Sequence, residues 1–265
     1  MIVLRIIGGL GNQLFIYAFG RALQKKYNMD VYFDTYSGYK NDPFKRKYEL
    51  DNFDTKIKKT GLLDSIYFPV RKRSKVIANI LFAGSLYIEG DQNLSIDRLV
   101  SQEKQFKKIF LQGYFQKSKY SEVVEKEIRQ EITLKKSLSK VANDYLSEIN
   151  KNNSVALHIR GKERKEISSV QFYIESIKNI KQKINRPIIF VFTDDIEWSK
   201  KILSEQQNIF FIENTSNHLE DFWLMRNCKH FIIPDSTFSW WASSLGAKSH
   251  SIILKPLNNT YDART

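Results

Sequence analysis

The residues of this sequence that are best suited to chemistry are cations, hydroxyls and amides that can bind an anion. His158-Ile159-Arg160 closes one apolar run, and Asp235-Ser236-Thr237-Phe238 follows another. A guanidinium can hold a phosphate with two parallel hydrogen bonds, and the start of a helix directs several main-chain N–H groups at one spot. The two segments therefore predict a phosphate or diphosphate site. A capped helix and a core histidine are the alternative.

The His-x-Arg spacing argues against that alternative for the first segment. Alternate residues of a strand share a face, so His158 and Arg160 point the same way. A buried arginine requires an anionic partner, which makes an apolar setting a poor explanation. We expect Arg160 to clamp a phosphate and His158 to hydrogen-bond a base or a sugar.

A second set of polar groups follows the first apolar run of the chain. It reads Gly8-Gly9-Leu10-Gly11-Asn12-Gln13, and Leu14 stands where a dinucleotide fingerprint requires glycine. The glycines allow a ligand to approach the backbone closely, and the amides of Asn12 and Gln13 suit sugar hydroxyls. A tight turn with an asparagine helix cap is the alternative.

A third polar segment, Thr193-Asp194-Asp195, precedes a segment with helical spacing. Threonine and aspartate are common helix caps, because their side-chain oxygens accept hydrogen bonds from the first N–H groups of a helix. One of the two aspartates is therefore expected to cap a helix. The other would orient an arginine or contact a ligand.

The hydrophobic pattern predicts the elements that position these groups. Residues 155–254 alternate between apolar runs and helical spacing, which indicates a doubly wound α/β domain whose strands end at one ligand-binding edge. The first half begins with a strand, a helix and a strand, and residues 121–149 predict one long helix. With a polar linker at 150–154, we predict domains over 1–150 and 151–265.

Composition narrows the classes of partner. A net charge of +13 favours an anionic partner, and the aromatic residues fall within strand and helix patterns, which argues against nucleic acid. The single cysteine excludes an internal disulfide, and no cluster with metal-ligand spacing occurs, so we expect no metal. No segment is suited to crossing a bilayer, and we therefore expect a cytoplasmic location.

Four blocks of the sequence resemble a known family, the family 11 glycosyltransferases or α1,2-fucosyltransferases. Residues 8–18, GGLGNQLFIYA, resemble its N-terminal signature, and residues 158–160 resemble the start of its His-x-Arg-Arg-x-Asp motif. Residues 192–198, FTDDIEW, and 236–241, STFSWW, resemble two further blocks. The blocks occur in family order, whereas residues 38–150 match nothing.

The resemblance implies an α/β fold of the GT-B type, in which two Rossmann-like domains face a central cleft and the N-terminal one lies on the acceptor side. It implies a galactoside α1,2-fucosyltransferase-like enzyme that needs no metal or other cofactor. L-Fucose would pass from GDP-fucose to a hydroxyl of an oligosaccharide, with inversion. Arg160 would hold the diphosphate, His158 the nucleotide end and Asp221 the guanine. The other implied donor-binding positions are Gly9, Gly11, Asn12, Gln13, Lys162, Asp195, Ser236, Thr237 and Phe238.

The sequence departs from the family motif after Arg160. Where the family has Arg-Arg-Gly-Asp, this chain has Arg160-Gly161-Lys162-Glu163, so that either Lys162 and Glu163 replace the second arginine and the aspartate or the loop is shortened. Lysine binds phosphate as a point charge and not as a fork, which leaves the donor open to another GDP-6-deoxy or dideoxy sugar. A binding module without turnover is a further alternative.

The resemblance also suggests catalytic roles and a place of action. Arg160 would neutralise the leaving group, and Glu163, Asp194 and Asp195 are candidates for the base that receives the acceptor proton. Such transferases build surface polysaccharides such as O-antigen on lipid-diphosphate-linked acceptors. Lys/Arg clusters between residues 56 and 108 would then hold the protein at anionic lipid on the inner face of the cytoplasmic membrane.

Overall fold

A computed structural model describes residues 1–90, 96–161 and 170–256 of the chain. The chain divides into two compact units, one formed by Met1–Lys135 and the other beginning at Lys136. Each unit contains one parallel β-sheet with helices, which confirms the predicted α/β class.

The sheet of the first unit has the strand order β2-β1-β4-β3. Ile2, Val3 and Leu4 of β1 are fully buried because this strand lies between β2 and β4. Parallel strands covered on both faces require such continuous apolar runs. The strands are β1 (Ile2–Arg5), β2 (Val31–Asp34), β3 (Ser85–Glu89) and β4 (Lys108–Gln112). The helices are α1 (Leu10–Tyr27), α2 (Leu62–Ser65), α3 (Tyr67–Arg73), α4 (Lys75–Leu81), α5 (Ile96–Glu103), α6 (Ser118–Glu122) and α7 (Glu125–Glu131), with a 3₁₀ turn at Leu50–Asn52.

The sheet of the second unit has the order β7-β6-β5-β8-β9, again with parallel pairing throughout. Its central strand β5 is buried from Ser154 to Ile159 and packs against Tyr173, Ile177 and Ile180 of α9. The strands are β5 (Asn153–Ile159), β6 (Pro187–Thr193), β7 (Ile209–Phe211), β8 (His230–Ile232) and β9 (Ile253–Leu254). The helices are α8 (Lys140–Lys151), α9 (Val170–Lys183), α10 (Ile196–Ile202), α11 (His218–Arg226) and α12 (Thr237–Gly246).

The segment predicted as one helix over residues 121–149 is three helices, α6, α7 and α8. The break after α7 follows from tertiary contacts: Leu134 forms a β-bridge with Phe53 of the first unit, and the chain then passes into the second unit at Lys136. Helix α8 contacts α11 and β5 and belongs to the second unit. The boundary between the two units therefore lies before α8, whereas we predicted from the sequence that it lies after residue 150.

Candidate functional site

The predicted anion-binding segments of the second unit leave its sheet at a topological switch point. From β5 the chain proceeds to β6 and β7 on one side, and it returns to β8 on the other side of β5. The register pairs Leu157 with Ile232 and Ile159 with Thr193, so the residues after β5, β6 and β8 emerge at one edge. Ligands of open α/β sheets bind in the crevice that such a switch creates.

His158 lies near the end of β5, at this edge of the sheet. It is 5% exposed, its ring lies 5.9 Å from the ring of Phe238, and its Nδ1 has no hydrogen-bond partner within the described parts of the chain. Burial and the charge of Arg160 lower the pKa of His158 to about 3, against an opposing effect of Asp194. The ring is therefore neutral at physiological pH, and an unpaired buried nitrogen is costly unless a ligand satisfies it.

Arg160 directly follows β5 at the same edge and is oriented by Asp194. The Arg160 Nε lies 3.5 Å from Asp194 Oδ2, and 26% of the arginine side chain remains exposed. The other carboxylate oxygen of Asp194 accepts a hydrogen bond from the Gly161 N–H at 2.7 Å. Asp194 thus fixes both the guanidinium and the backbone that follows it.

Asp195 has a different role from its neighbour. Its Oδ1 accepts a hydrogen bond from the Trp198 N–H at 3.2 Å and caps α10. This division confirms that one aspartate caps a helix and the other orients an arginine. The close approach of the two loops also requires a glycine at 161, because a Cβ there would lie 2.4 Å from the Cβ of Asp195.

Helix α12 starts at the same edge without a side-chain cap. Among the helices of the second unit whose N-caps are described, α8, α10 and α11 are capped by the side chains of Ser139, Asp195 and Asn217. The side chain of Ser236, the N-cap of α12, makes no such bond. Since the first N–H groups of a helix have no partner inside it, those of Thr237 and its successors can bind an anion.

Phe238 joins α12 to α11 through a small aromatic cluster. Its ring lies 5.3 Å from that of Phe222 and 6.4 Å from that of His218, in addition to its contact with His158. The cluster brings the start of α11 to the crevice. His218 was not identified from the sequence, although it lies one helical turn before Asp221 and that spacing could have revealed it.

Asp221 is a partly buried carboxylate on the same turn of α11 as His218. It accepts a hydrogen bond from Thr215 Oγ1 at 2.7 Å. Burial raises its pKa, partly offset by that hydrogen bond. The preceding Glu220 anchors the helix: its carboxylate accepts bonds from the N–H and Oγ of Ser139 and from the Ser216 N–H, which hold its pKa below the ordinary value despite burial.

The glycine turn of the first unit follows β1 at the switch point between β1 and β4. Gly8 has a φ of +80°, and a Cβ there would lie 2.7 Å from Asn12 Nδ2. Gly9 is the N-cap of α1 and is half-buried, whereas Gly11 is buried within the first turn. Asn12 accepts a hydrogen bond from Gln116 Nε2 at 2.8 Å, a contact that the sequence did not suggest.

Gln13 differs from its predicted role. It is fully buried, its Nε2 donates to the carbonyls of Gly8 and Lys47, and its Oε1 accepts from the Glu49 N–H. Both donors of the amide are therefore used to fasten the loop at residues 47–49 to the glycine turn. The prediction that Gln13 offers its amide to a sugar does not fit this geometry.

Two of the predicted site residues, Lys162 and Glu163, lie outside the described residues. Within the described residues, no group of three or more His, Cys, Asp or Glu side chains is arranged to hold a metal ion. No helix in that part of the chain is long and apolar enough to span a membrane.

Two units with parallel sheets and a switch-point edge define a class of fold, the GT-B type. A solved structure with this fold, that of the NodZ α-1,6-fucosyltransferase of Bradyrhizobium soaked with GDP-fucose, has a TM-score of 0.57 to this chain. The two are 14% identical, and the match covers 97% of this chain and 96% of NodZ.

The chain belongs to glycosyl transferase family 11, whose model matches residues 93–264. It is 30% identical to an alpha-1,2-colitosyltransferase of Escherichia coli, over 97% of this chain and 91% of the relative. It is 26% identical to the O-antigen biosynthesis glycosyltransferase WbnK of Escherichia coli, over 94% and 91% of the two chains. The protein is thus a glycosyltransferase of this family.

Proposed function

We propose that this protein transfers a 6-deoxyhexose from its GDP derivative to a hydroxyl of an oligosaccharide, with inversion and an α1,2 linkage. L-Fucose, or its 3-deoxy counterpart colitose, is the proposed sugar. The relation to a colitosyltransferase and to an O-antigen glycosyltransferase supports this reaction and a role in surface polysaccharide synthesis. NodZ, which shares the fold, has been soaked with GDP-fucose.

One observation carries the proposal: His158, Arg160 and the start of α12 emerge together at the switch point of the second unit. A diphosphate there would receive hydrogen bonds from a guanidinium on one side and from main-chain N–H groups on the other. The buried Nδ1 of His158, which has no hydrogen-bond partner within the described residues, is a further polar atom at this edge. A guanidinium, the main-chain N–H groups of a helix start and an imidazole at one edge of the sheet are suited to an anionic ligand.

In the proposed reaction, the bond between the anomeric carbon and the diphosphate oxygen breaks while the acceptor oxygen bonds to that carbon. The electron pair of the broken bond remains on GDP, and the acceptor hydroxyl loses its proton. Arg160 and the helix start stabilise the charge that develops on the leaving diphosphate. We propose no metal for this step, and transfer should persist in the presence of a chelator.

Asp194 and Asp195 are poorly placed to act as the base. Asp194 contacts Arg160 and Gly161, and Asp195 caps α10. We therefore assign Asp194 a positioning role and retain Glu163 as the candidate for receiving the acceptor proton. Late loss of the proton to solvent or to the departing diphosphate is chemically sufficient if cleavage of the donor leads.

The acceptor of the proposed reaction is an oligosaccharide that grows on a lipid diphosphate. The relation to an O-antigen glycosyltransferase supports this acceptor class. We place the reaction at the inner face of the cytoplasmic membrane, where a basic protein would be attracted to anionic lipid.

The donor is tested by incubating the purified chain with GDP-fucose and with GDP-colitose, with a panel of galactosides as acceptors, and by determining the linkage of any product by NMR. Transfer from either donor to give an α1,2 product supports the proposal. Binding of GDP without turnover of either donor would instead establish the silent binding module. If the chain does not bind GDP at all, the proposed GDP-binding site is wrong.

The site is tested by Arg160→Ala. Loss of a charge-assisted fork should weaken GDP binding by about 100-fold, since each hydrogen bond to a charged group contributes about 1.5–3 kcal/mol. Lys178→Ala removes the same charge from an exposed position of α9 and serves as the matched control. Equal GDP affinity of the two variants in calorimetric titration would contradict the assignment of Arg160.

A further inference from the structure

The first unit exposes several aliphatic side chains on the short helices α2 and α4 and at the junction between α2 and α3. In α4, Val76 is 69% exposed and Ile80 is 71% exposed. The full set, named here the aliphatic patch, comprises Leu62, Leu63, Ile66, Val76, Ile77, Ile80 and Leu81. Scattered apolar residues on a surface are ordinary, but a concentration of this kind marks an interaction site.

The patch does not arise from loose packing of the helices on their sheet. Tyr67 and Phe68 of α3 are buried, and the Tyr67 ring stacks on that of Phe110 of β4 at 3.7 Å. Ala78 of α4 is fully buried in the same cluster. Helix α3 contacts both α2 and α4. The helices therefore bury one set of apolar residues on the sheet and present a second set to the outside.

In α4 the exposed set forms one continuous stripe. Val76, Ile77, Ile80 and Leu81 have the spacing i, i+1, i+4 and i+5, which places them within about 140° of the helix circumference at 3.6 residues per turn. Ala78 lies outside this arc and faces the sheet. The helix is thus apolar on its outer face, where a helix that meets only water is polar.

Within residues 61–82, the segment that carries the patch, the charged residues are almost all positive. The exposed Lys72, Arg73 and Lys75 lie where α3 meets α4. Between residues 61 and 82 the acidic residue is Asp64, and its carboxylate faces inward, in an ion pair with Lys108 at 2.5 Å. An occupant of this surface must therefore offer both an apolar layer and negative charge.

We propose that the aliphatic patch inserts shallowly into the interface of an anionic phospholipid bilayer. Aliphatic side chains would enter the boundary between headgroups and acyl chains, while the lysines and arginines contact lipid phosphates. Helix α4 has seven residues and a length of about 10 Å, so it lies in the interface and does not span the bilayer. This surface adds an apolar anchor to the attraction expected from net charge alone.

A second copy of the chain fits the patch less well than lipid does. A two-fold interface places identical surfaces against each other, which would bring the cations of the two α3–α4 junctions close together. Like charges at such distances repel, whereas an anionic bilayer attracts all of them.

The full chain can be tested by co-sedimentation with vesicles of phosphatidylcholine alone and of phosphatidylcholine with phosphatidylglycerol, at physiological salt and without sugar substrates. We expect binding to the anionic vesicles and little binding to the neutral ones. Ile77→Ser with Ile80→Ser should weaken that binding at least tenfold, because both side chains lose their apolar transfer energy. The double variant Lys72→Glu, Arg73→Glu should also weaken binding to the anionic vesicles at least about tenfold.

The matched control for charge is Lys178→Glu with Lys201→Glu, at exposed positions of α9 and α10 in the second unit. This control changes the net charge equally and should retain most of the binding. Equal loss in both charge variants, or undiminished binding of the double serine variant, would overturn the proposal. It would also be overturned if sedimentation showed a dimer that the double serine variant abolishes. The test needs no turnover, so its result is independent of the proposed transferase reaction.

Discussion

Adjacent residues of identical type have separate functions in this protein. Asp194 orients Arg160 and the Gly161 backbone, whereas Asp195 caps α10. The sequence predicted that one aspartate would cap a helix, because such residues are common caps before helical spacing, and that the other would orient an arginine or contact a ligand. Which aspartate has which role depends on register: Ile159 pairs with Thr193, which sets Asp194 beside Arg160.

Gln13 shows the opposite outcome at the same scale. Its residue type and its place after a glycine turn are compatible with sugar binding, but the fold uses its amide to fasten residues 47–49. Those partners are more than 30 residues away along the chain. A partner that distant has no signature in local sequence, so the role of Gln13 could not be derived before the loop was placed.

Asp221 gives a prediction for nucleotide recognition. A carboxylate can accept hydrogen bonds from N1–H and the 2-amino group of guanine, so Asp221→Asn should weaken GDP binding by about 10- to 100-fold. The wild type should prefer GDP over inosine diphosphate, which lacks the 2-amino group, and the variant should lose that preference. Calorimetric titration of both nucleotides measures it. As a control, Asp144→Asn, at an exposed position of α8, should leave both affinities unchanged. If Asp221→Asn keeps the preference for GDP, Asp221 does not recognise guanine.

At the scale of elements, the start of α12 is distinguished by what it lacks. Ser139, Asp195 and Asn217 cap the other helices of the second unit whose N-caps are described, and Ser236 does not use its side chain in this way. A helix start without a side-chain cap sacrifices stability of about 1 kcal/mol. The start of α12 lies at the switch point, so an anion bound there would complete the cap and recover that stability.

Ser236→Asp should separate stability from binding. An aspartate at the N-cap would accept the hydrogen bonds of the first turn and interact favourably with the helix dipole, so the melting temperature should stay constant or rise. The same carboxylate would occupy the position of the diphosphate and repel it, so GDP binding should weaken at least about tenfold.

Ser74→Asp at the N-cap of α4 is the matched control for this variant, because Ser74 already caps its helix by accepting a hydrogen bond from the Ile77 N–H. It should leave GDP affinity unchanged. Retention of full GDP affinity in Ser236→Asp, with normal folding by circular dichroism, would show that the diphosphate does not bind at the start of α12.

At the scale of the whole molecule, the chain consists of two units, each of which contains a hydrophobic cluster. All four tryptophans, Trp198, Trp223, Trp240 and Trp241, belong to the second unit. Tryptophan fluorescence therefore reports on the unit that contains the proposed GDP site, whereas circular dichroism reports on both units. A two-unit protein need not unfold in a single transition.

GDP at about 100 times its dissociation constant should stabilise the second unit by about 2.7 kcal/mol, which corresponds to a shift of roughly 10 °C in its melting temperature. We expect the fluorescence transition to shift by this amount, while part of the circular dichroism signal melts at an unchanged temperature. A shift in the dichroism transition with an unmoved fluorescence transition would place GDP binding in the first unit.

The apolar runs of the chain determined its α/β class by themselves, because a strand covered on both faces must be apolar along its length. Most strands of the second unit were located for the same reason, and the convergence of polar residues after them predicted the crevice. The prediction of one long helix over residues 121–149 was wrong. A β-bridge between Leu134 and Phe53 interrupts the helical pattern that local spacing would continue.

Tertiary structure alone decided which polar groups are committed and which are available. Hydrogen-bond partners distant in sequence occupy the amide of Gln13. Within the described residues, Nδ1 of His158 has no hydrogen-bond partner, and the side chain of Ser236 does not cap α12. Tertiary structure also decided that the aliphatic residues of α4 face outward. Sequence records the type of each side chain, but exposure depends on which face the sheet covers, and that is set by packing between elements far apart in the chain.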